Sequence, residues 1–155
     1  MRGSTNLARI PHPAPNTFAG LMEVYENNYI KLRKLCGNFD VLHEYSHSRV
    51  SQALDLHLQI VERTKFTITL NLTYRFIEHK DDESRDLPNL LIRVYFDAMQ
   101  AEVLHREMKR VPVNQLIDSR LRNKWKDNRF LYKWLSFCIS QGHVFNAQMD
   151  LIDCR

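Results

Sequence analysis

The sequence predicts an α+β fold: an N-terminal helix, a four-stranded antiparallel sheet made of two hairpins, and a long C-terminal helix, with both helices packed on one face of the sheet. Three observations predict it. Apolar and polar residues alternate from Leu54 to Phe76, the period of strands with one buried and one wet face. Two stretches nearer the ends repeat their apolar residues at intervals of three and four, the period of a helix. Short polar breaks, not long crossovers, separate the strand-like runs, so neighbouring strands run antiparallel.

The elements follow in chain order. Pro11, Pro13 and Pro15 hold residues 1–15 in an extended arm, whose Met1-Arg2-Gly3-Ser4 matches a vector-derived leader. Asn16 or Thr17 can accept a backbone N–H bond and start a helix. Phe18, Leu21, Met22, Tyr25, Tyr29, Leu32 and Cys36 then form one apolar stripe, Arg33 and Lys34 suit the negative end of the helix dipole, and Gly37 suits the stop. Asn38 to Arg49 reads as a polar, irregular segment. In the first hairpin Leu54, Leu56, Leu58 and Ile60 face the core, Thr64-Lys65 turns the chain, and Phe66, Ile68, Leu70, Leu72, Tyr74 and Phe76 return along the same face. Glu78 to Asp86 is charged and has no apolar period, so it reads as an exposed connection.

Pro88 opens a third strand, Leu90 to Asp97, with Leu90, Ile92, Val94 and Phe96 inward. A turn at Ala98-Met99 leads into a fourth, ending at Arg106, with Ala101 and Val103 inward. A basic linker from Met108 to Asp118, broken by Pro112, precedes a helix from about Ser119 to Gln141. Its Phe130, Leu131, Trp134, Leu135, Phe137 and Cys138 cover a wide arc that suits a helix lying across a sheet. Gly142 can end it. One α+β domain is expected over 16–143, with a tail over 144–155.

Composition narrows the function classes. A chain of 155 residues that is 44% hydrophobic suits one core. It has no run of about 18 apolar residues, so no transmembrane helix and no membrane partner are expected. The N-terminus lacks a basic-then-apolar signal pattern. Cys36, Cys138 and Cys154 form no C-x-x-C pair; Cys36 and Cys138 lie on apolar helix faces and are expected to be reduced core thiols of a cytoplasmic protein. Net charge is a mild +4, but Arg106 to Lys133 holds nine Lys or Arg against three acids, a stretch that can attract phosphate or an acidic protein surface. Four scattered glycines cannot build a phosphate loop.

Four blocks resemble the YqiB-like family of small bacterial proteins of unknown function. Asn28-Tyr29-x-x-Leu32-x-x-Leu35 is similar to that family's opening, and Val61-Glu62-x-Thr64-x-Phe66-Thr67 to its first hairpin. Ile92-Arg93-Val94-Tyr95-Phe96-Asp97-Ala98-x-x-Ala101-Glu102-Val103 is the most specific block, and Asn128-x-Phe130-Leu131-x-x-Trp134-Leu135-x-x-Cys138 resembles the final helix. The chain departs at Phe96, where the family has His, and at Leu121-Arg122-Asn123-Lys124, where the family is more acidic. The resemblance implies a bacterial cytoplasmic protein and brings no activity, substrate or cofactor.

Three constellations are candidates for chemistry. On the polar sheet face, His57, Arg75, Arg93, Tyr95, Asp97 and Glu102 converge if the hairpins are neighbours. Arg and Tyr can bind phosphate or carboxylate, and Asp or Glu with His can move a proton. The same residues also suit ordinary cross-strand pairs on a solvated face, and no nucleophile–base–orienter series accompanies them. The basic linker and last helix, with Lys124 and Arg129 among interleaved Trp125 and Tyr132, can hold single-stranded nucleic acid by phosphate contact and stacking, yet carry no RNP, KH or helix-turn-helix signature. Finally, His43-Glu44-Tyr45-Ser46-His47 spells H-E-x-x-H, which on a helix holds zinc with the glutamate as general base. Here Gly37-Asn38 and the following strand leave room for about two helical turns, and the third ligand is undefined, so neither metal nor cofactor is expected. The sequence predicts a non-enzymatic binding or adaptor domain whose partner is another protein. The alternatives are a nucleic-acid or nucleotide binder and, more remotely, a zinc hydrolase through His43 and His47.

Overall fold

A computed structural model describes residues 14–76, 85–107 and 120–145. The N-terminal arm, most of the charged connection, the basic linker, the end of the tail and the side chain of Arg75 lie outside the described residues.

Helix α1 spans Phe18–Cys36. Of the two candidate caps, Thr17 serves: its Oγ1 accepts the Gly20 N–H at 3.1 Å. Gly37 ends the helix at φ 66°, a conformation that costs a residue without Cβ little, and its N–H reaches the Arg33 carbonyl at 2.9 Å. A 3-10 turn, Phe39–Val41, follows. Five strands come next: β1 Tyr45–Ser48, β2 Asp55–Arg63, β3 Thr67–Phe76, β4 Arg85–Tyr95 and β5 Gln100–Glu107. Helix α2 spans Arg120–Ser140. The strands lie side by side in chain order, every pair antiparallel.

The α+β class holds, but the sheet has five strands where the sequence predicts four. The extra strand, β1, falls inside the stretch read as irregular. It is four residues long and its two core-side residues are Ser46 and Ser48, both buried, so hydrophobic alternation carries no trace of it. Three ends also shift. Leu54 and Phe66, expected inward, stand just outside β2 and β3 and are exposed. Phe18 and Phe137, at the margins of their helical stripes, are exposed as well. Strand β4 stops at Tyr95, which leaves Asp97 in the turn.

Register sets one apolar face. Leu56, Leu58 and Ile60 of β2 meet Leu70, Leu72 and Tyr74 of β3, and Leu90, Ile92 and Val94 of β4 meet Ala101 and Val103 of β5. Leu32, Leu35 and Cys36 of α1 and Leu131, Leu135 and Cys138 of α2 join the same core, so both helices cover this face. Each fully buried Leu or Ile removed from water contributes on the order of 2 kcal/mol. Cys36 and Cys138 are buried free thiols; burial raises both, Cys138 to about 11. Pro88 sits in an interior strand, which is tolerated because it falls at a bulge: two residues of β4 oppose Tyr74 alone.

A smaller cluster of Leu21, Val24, Tyr25 and Trp125 ties the helices together beyond β5. The Trp125 ring passes so close to Gly20 that a Cβ there would lie 2.8 Å from it, and its Nε1–H donates to the Thr17 carbonyl at 2.9 Å. At the other end, Gly142 (φ 94°) reverses the chain, and Phe145 donates its N–H to the Leu35 carbonyl at 2.7 Å. His143 and Phe145 are therefore both buried, and Phe145 joins the core.

Candidate functional site

The polar sheet face is built by the alternate residues of the same strands. One cross-strand row runs Thr69, Arg93, Glu102, and the next runs Thr67, Tyr95, Gln100. Within them the Glu102 carboxylate accepts the Tyr95 hydroxyl proton at 2.6 Å and lies 3.5 Å from Lys124 Nζ, which also donates to the Val103 carbonyl at 2.9 Å. Tyr25 of α1 adds a second hydroxyl to the same carboxylate. Burial first, and then the Glu102 charge, raise both tyrosine hydroxyls above their ordinary range, so neither is poised to give up a proton near neutrality. Glu102 thus links α1, β4, β5 and α2.

Arg93 is arranged differently. It is half-buried and its Nε–H donates to Thr69 Oγ1 at 3.2 Å. Its cross-strand neighbour Glu102 is held by Tyr95, Tyr25 and Lys124, and among the described residues Arg93 forms no ion pair. The guanidinium lies beside the Tyr95 hydroxyl and opposes its rise. A guanidinium has only hydrogen-bond donors to offer, and the Nε–H of Arg93 is spent on Thr69.

The remaining candidates separate from this group. His57 lies on β2 near the opposite edge, buried, with Nδ1 bonded to the Tyr45 hydroxyl and its ring stacked on that of His47 at 6.1 Å between centroids. Asp97 is exposed and caps its own turn, accepting the Ala98 N–H at 2.9 Å. Backbone pairing sets Arg75 between Asp55 and Asp86. Arg129 is exposed on α2 and forms no ion pair among the described residues. Lys124, predicted as a basic contact, is committed to Glu102 and Val103.

The H-E-x-x-H motif is not helical. His43 precedes β1 and His47 lies within it, so the two histidines do not share a helical face. Glu44 meets Arg63 at 3.3 Å. Among the described residues no three His, Cys, Asp or Glu side chains gather as a metal site. The motif places His47 directly opposite His57 instead. Sequence reasoning missed Tyr45, Tyr25 and Asn128. The first was hidden in the unrecognised strand, and the others sat in helices read only for their apolar stripes.

Among the described residues no helix is long and apolar enough to cross a membrane. No solved structure matches the chain. The profile of the family described as "Protein of unknown function (DUF1249)" matches residues 31–144. The uncharacterized protein YqiB of Escherichia coli strain K12 is 32% identical over 133 residues, covering 81% of this chain and 90% of its own length. The YqiB proteins of the O6:H1 and O157:H7 strains match to the same extent. The sequence blocks, the profile and these relatives agree: the chain belongs to the DUF1249 family of YqiB-like proteins, whose function is unknown.

Proposed function

We propose that this chain is a non-enzymatic binding domain that engages an anionic group on a protein partner through the polar face of its sheet, with Arg93 as the central contact. The observation that carries this reading is the hydrogen bond of Arg93 to Thr69, beside the Tyr95 hydroxyl, while its neighbouring carboxylate is paired with Tyr95 and Lys124. A half-buried guanidinium flanked by hydroxyls favours a carboxylate or phosphate and positions it bidentately. Catalysis finds less support, because the nearby acid and tyrosines are engaged with one another and burial raises both tyrosines. A nucleic-acid reading shares Arg93 but loses Lys124, which is already engaged.

The test is quantitative recovery of partners on the tagged chain from bacterial lysate, comparing Arg93→Ala with Arg129→Ala. The expected result is a partner reduced at least about tenfold by Arg93→Ala, the loss of one charge-assisted contact, and retained by Arg129→Ala. Recovery indifferent to Arg93→Ala would sink the reading. Recovery of RNA that depends on Arg129 and vanishes with moderate salt would favour the basic helix instead.

A further inference from the structure

The basic stretch divides into two sets of cations. Lys124 and Arg106 turn inward, Lys124 to Glu102 and the Val103 carbonyl, and Arg106 to Asp127 at 3.7 Å. Arg122, Lys126, Arg129 and Lys133 of α2 are all exposed, and none forms an ion pair among the described residues. Their spacing of four, three and four residues keeps them within about 60° of the helix circumference, in a line roughly 16 Å long. Leu131, Leu135 and Cys138 face the core on the opposite side. A helix face that only meets solvent ordinarily sets acids three or four residues from its cations. Helix α2 holds a single acid, Asp127, and Arg106 takes it. Like charges at these intervals destabilise a helix, so the stripe works against the element that carries it. Two aromatic rings border the stripe on opposite flanks. Tyr132 is 38% exposed, with Lys31 Nζ 5.2 Å from its ring centre, and Phe137 is 52% exposed.

We propose that this crest of α2 binds single-stranded nucleic acid, with Arg122, Lys126, Arg129 and Lys133 holding the phosphates and Tyr132 stacking on a base. A phosphodiester backbone is a line of single negative charges and complements a line of unpaired cations. Unpaired bases offer the flat faces on which aromatic rings stack; a duplex keeps those faces in its own stack, and a cluster of carboxylates has none. Lys31, beside the Tyr132 ring, brings a further cation to the α1 flank. An anionic membrane fits this surface less well. Helices that lie in a membrane surface bury a wide apolar face in it, and that face of α2 is spent on the core. The site goes beyond the Arg93 reading and does not rest on it. Helix α2 covers the apolar face of the sheet and Arg93 lies on the polar one, so the two ligands occupy opposite sides.

The test is fluorescence anisotropy of a labelled oligouridylate of about 15 nucleotides with the untagged full chain, from about 25 mM to about 200 mM salt. Four phosphate contacts on a single strand predict that log K falls with log salt at a slope of about −3, roughly −0.7 per contact. Arg129→Ala flattens that slope by about 0.7, and Arg129→Glu weakens binding at least about tenfold. Lys65→Glu, the same change of net charge on the exposed β2–β3 turn, alters affinity less than about twofold. Tyr132→Ala weakens binding about fivefold or more, whereas Tyr132→Phe keeps the ring and the affinity. Poly-glutamate of equal total charge displaces the RNA at least about tenfold less well than unlabelled oligouridylate. Where a variant fails to fold by circular dichroism, the salt slope of the unaltered chain decides. No binding at the lowest salt, a slope near zero, equal effects of Arg129→Glu and Lys65→Glu, or indifference to Tyr132→Ala would overturn the proposal. So would poly-glutamate competing as well as RNA, which would assign the stripe to an acidic protein surface.

Discussion

The two edges of the sheet solve one problem in opposite ways. At β5 the outward main-chain groups of Val103 are both taken by side chains of α2: Asn128 Oδ1 accepts the N–H at 2.9 Å and Lys124 Nζ donates to the carbonyl at 2.9 Å. Asn128 is completely buried. Its Nδ2 donates to the Lys124 carbonyl at 2.8 Å, and its own carbonyl receives Asn28 Nδ2 from α1 at 3.2 Å. A helix has in effect been made into the sixth strand. At β1 the corresponding groups of Tyr45 and His47 find no such cover among the described residues. The difference teaches that side chains of a packed helix can take over the outward main-chain groups of an edge strand.

The largest way to break this comparison is Asn128→Ala. It leaves the buried Val103 N–H without an acceptor and the Lys124 carbonyl without its side-chain donor. The expected loss is about 3 kcal/mol, a desolvated orphan plus a lost bond. For a chain of this size that lowers Tm by roughly 6 to 12 °C. Calorimetry checks it, and a fall under about 1 kcal/mol would mean that β5 needs no cap.

The β1 end has its own tether, which pH should loosen. His143 Nδ1 lies 2.9 Å from Ser48 Oγ, and the same oxygen accepts the Val144 N–H at 3.3 Å, pinning the segment after α2 to β1. Burial holds the His143 pKa below its ordinary value, while the Leu54 carbonyl, Asp55 and Ser48 oppose the shift only in part. The unfolded chain therefore binds more protons here than the folded one. This contribution to stability is complete above the unfolded value of about 6.5 and is lost as pH falls below it toward the depressed folded value. Urea denaturation between pH 7.5 and pH 5 should show a steeper decline for the native chain than for His143→Gln. Parallel slopes would remove His143 as the cause.

The two ends also differ in how much of them the sequence displayed. Helices α1 and α2 and strands β2 to β5 were legible because each puts apolar residues on the core at a regular period. Strand β1 was not, because serines take its core positions and tertiary context alone makes it a strand. The candidate site was half legible. Alternation correctly assigned Arg93, Tyr95 and Glu102 to one face, since strand parity follows from the apolar partners. It could not show that Glu102 would be consumed by Tyr25 and Lys124, which arrive from helices far away in the chain. Nor could spacing decide H-E-x-x-H: His43 and His47 share a helical face only if a helix exists, and the Ser46–Leu58 pairing prevents one.

The smallest expected effect contrasts an ion pair from each edge. Arg49–Asp55 beside β1 spans 3.2 Å with Arg49 69% exposed, whereas Lys124–Glu102 beside β5 spans 3.5 Å at 38% and 19% exposure. Distance alone would rank the first pair stronger. Solvent decides otherwise, because water and salt screen an exposed guanidinium and holding a long side chain in one rotamer costs entropy. Double-mutant cycles should give a coupling of about 0.3 kcal/mol or less for Arg49 with Asp55, vanishing in about 0.5 M salt. For Lys124 with Glu102 the coupling should be nearer 1 kcal/mol and persist in salt, since the same ammonium also closes the Val103 carbonyl. Equal couplings would mean that the β5 edge is as wet as β1, and that Asn128 alone closes it.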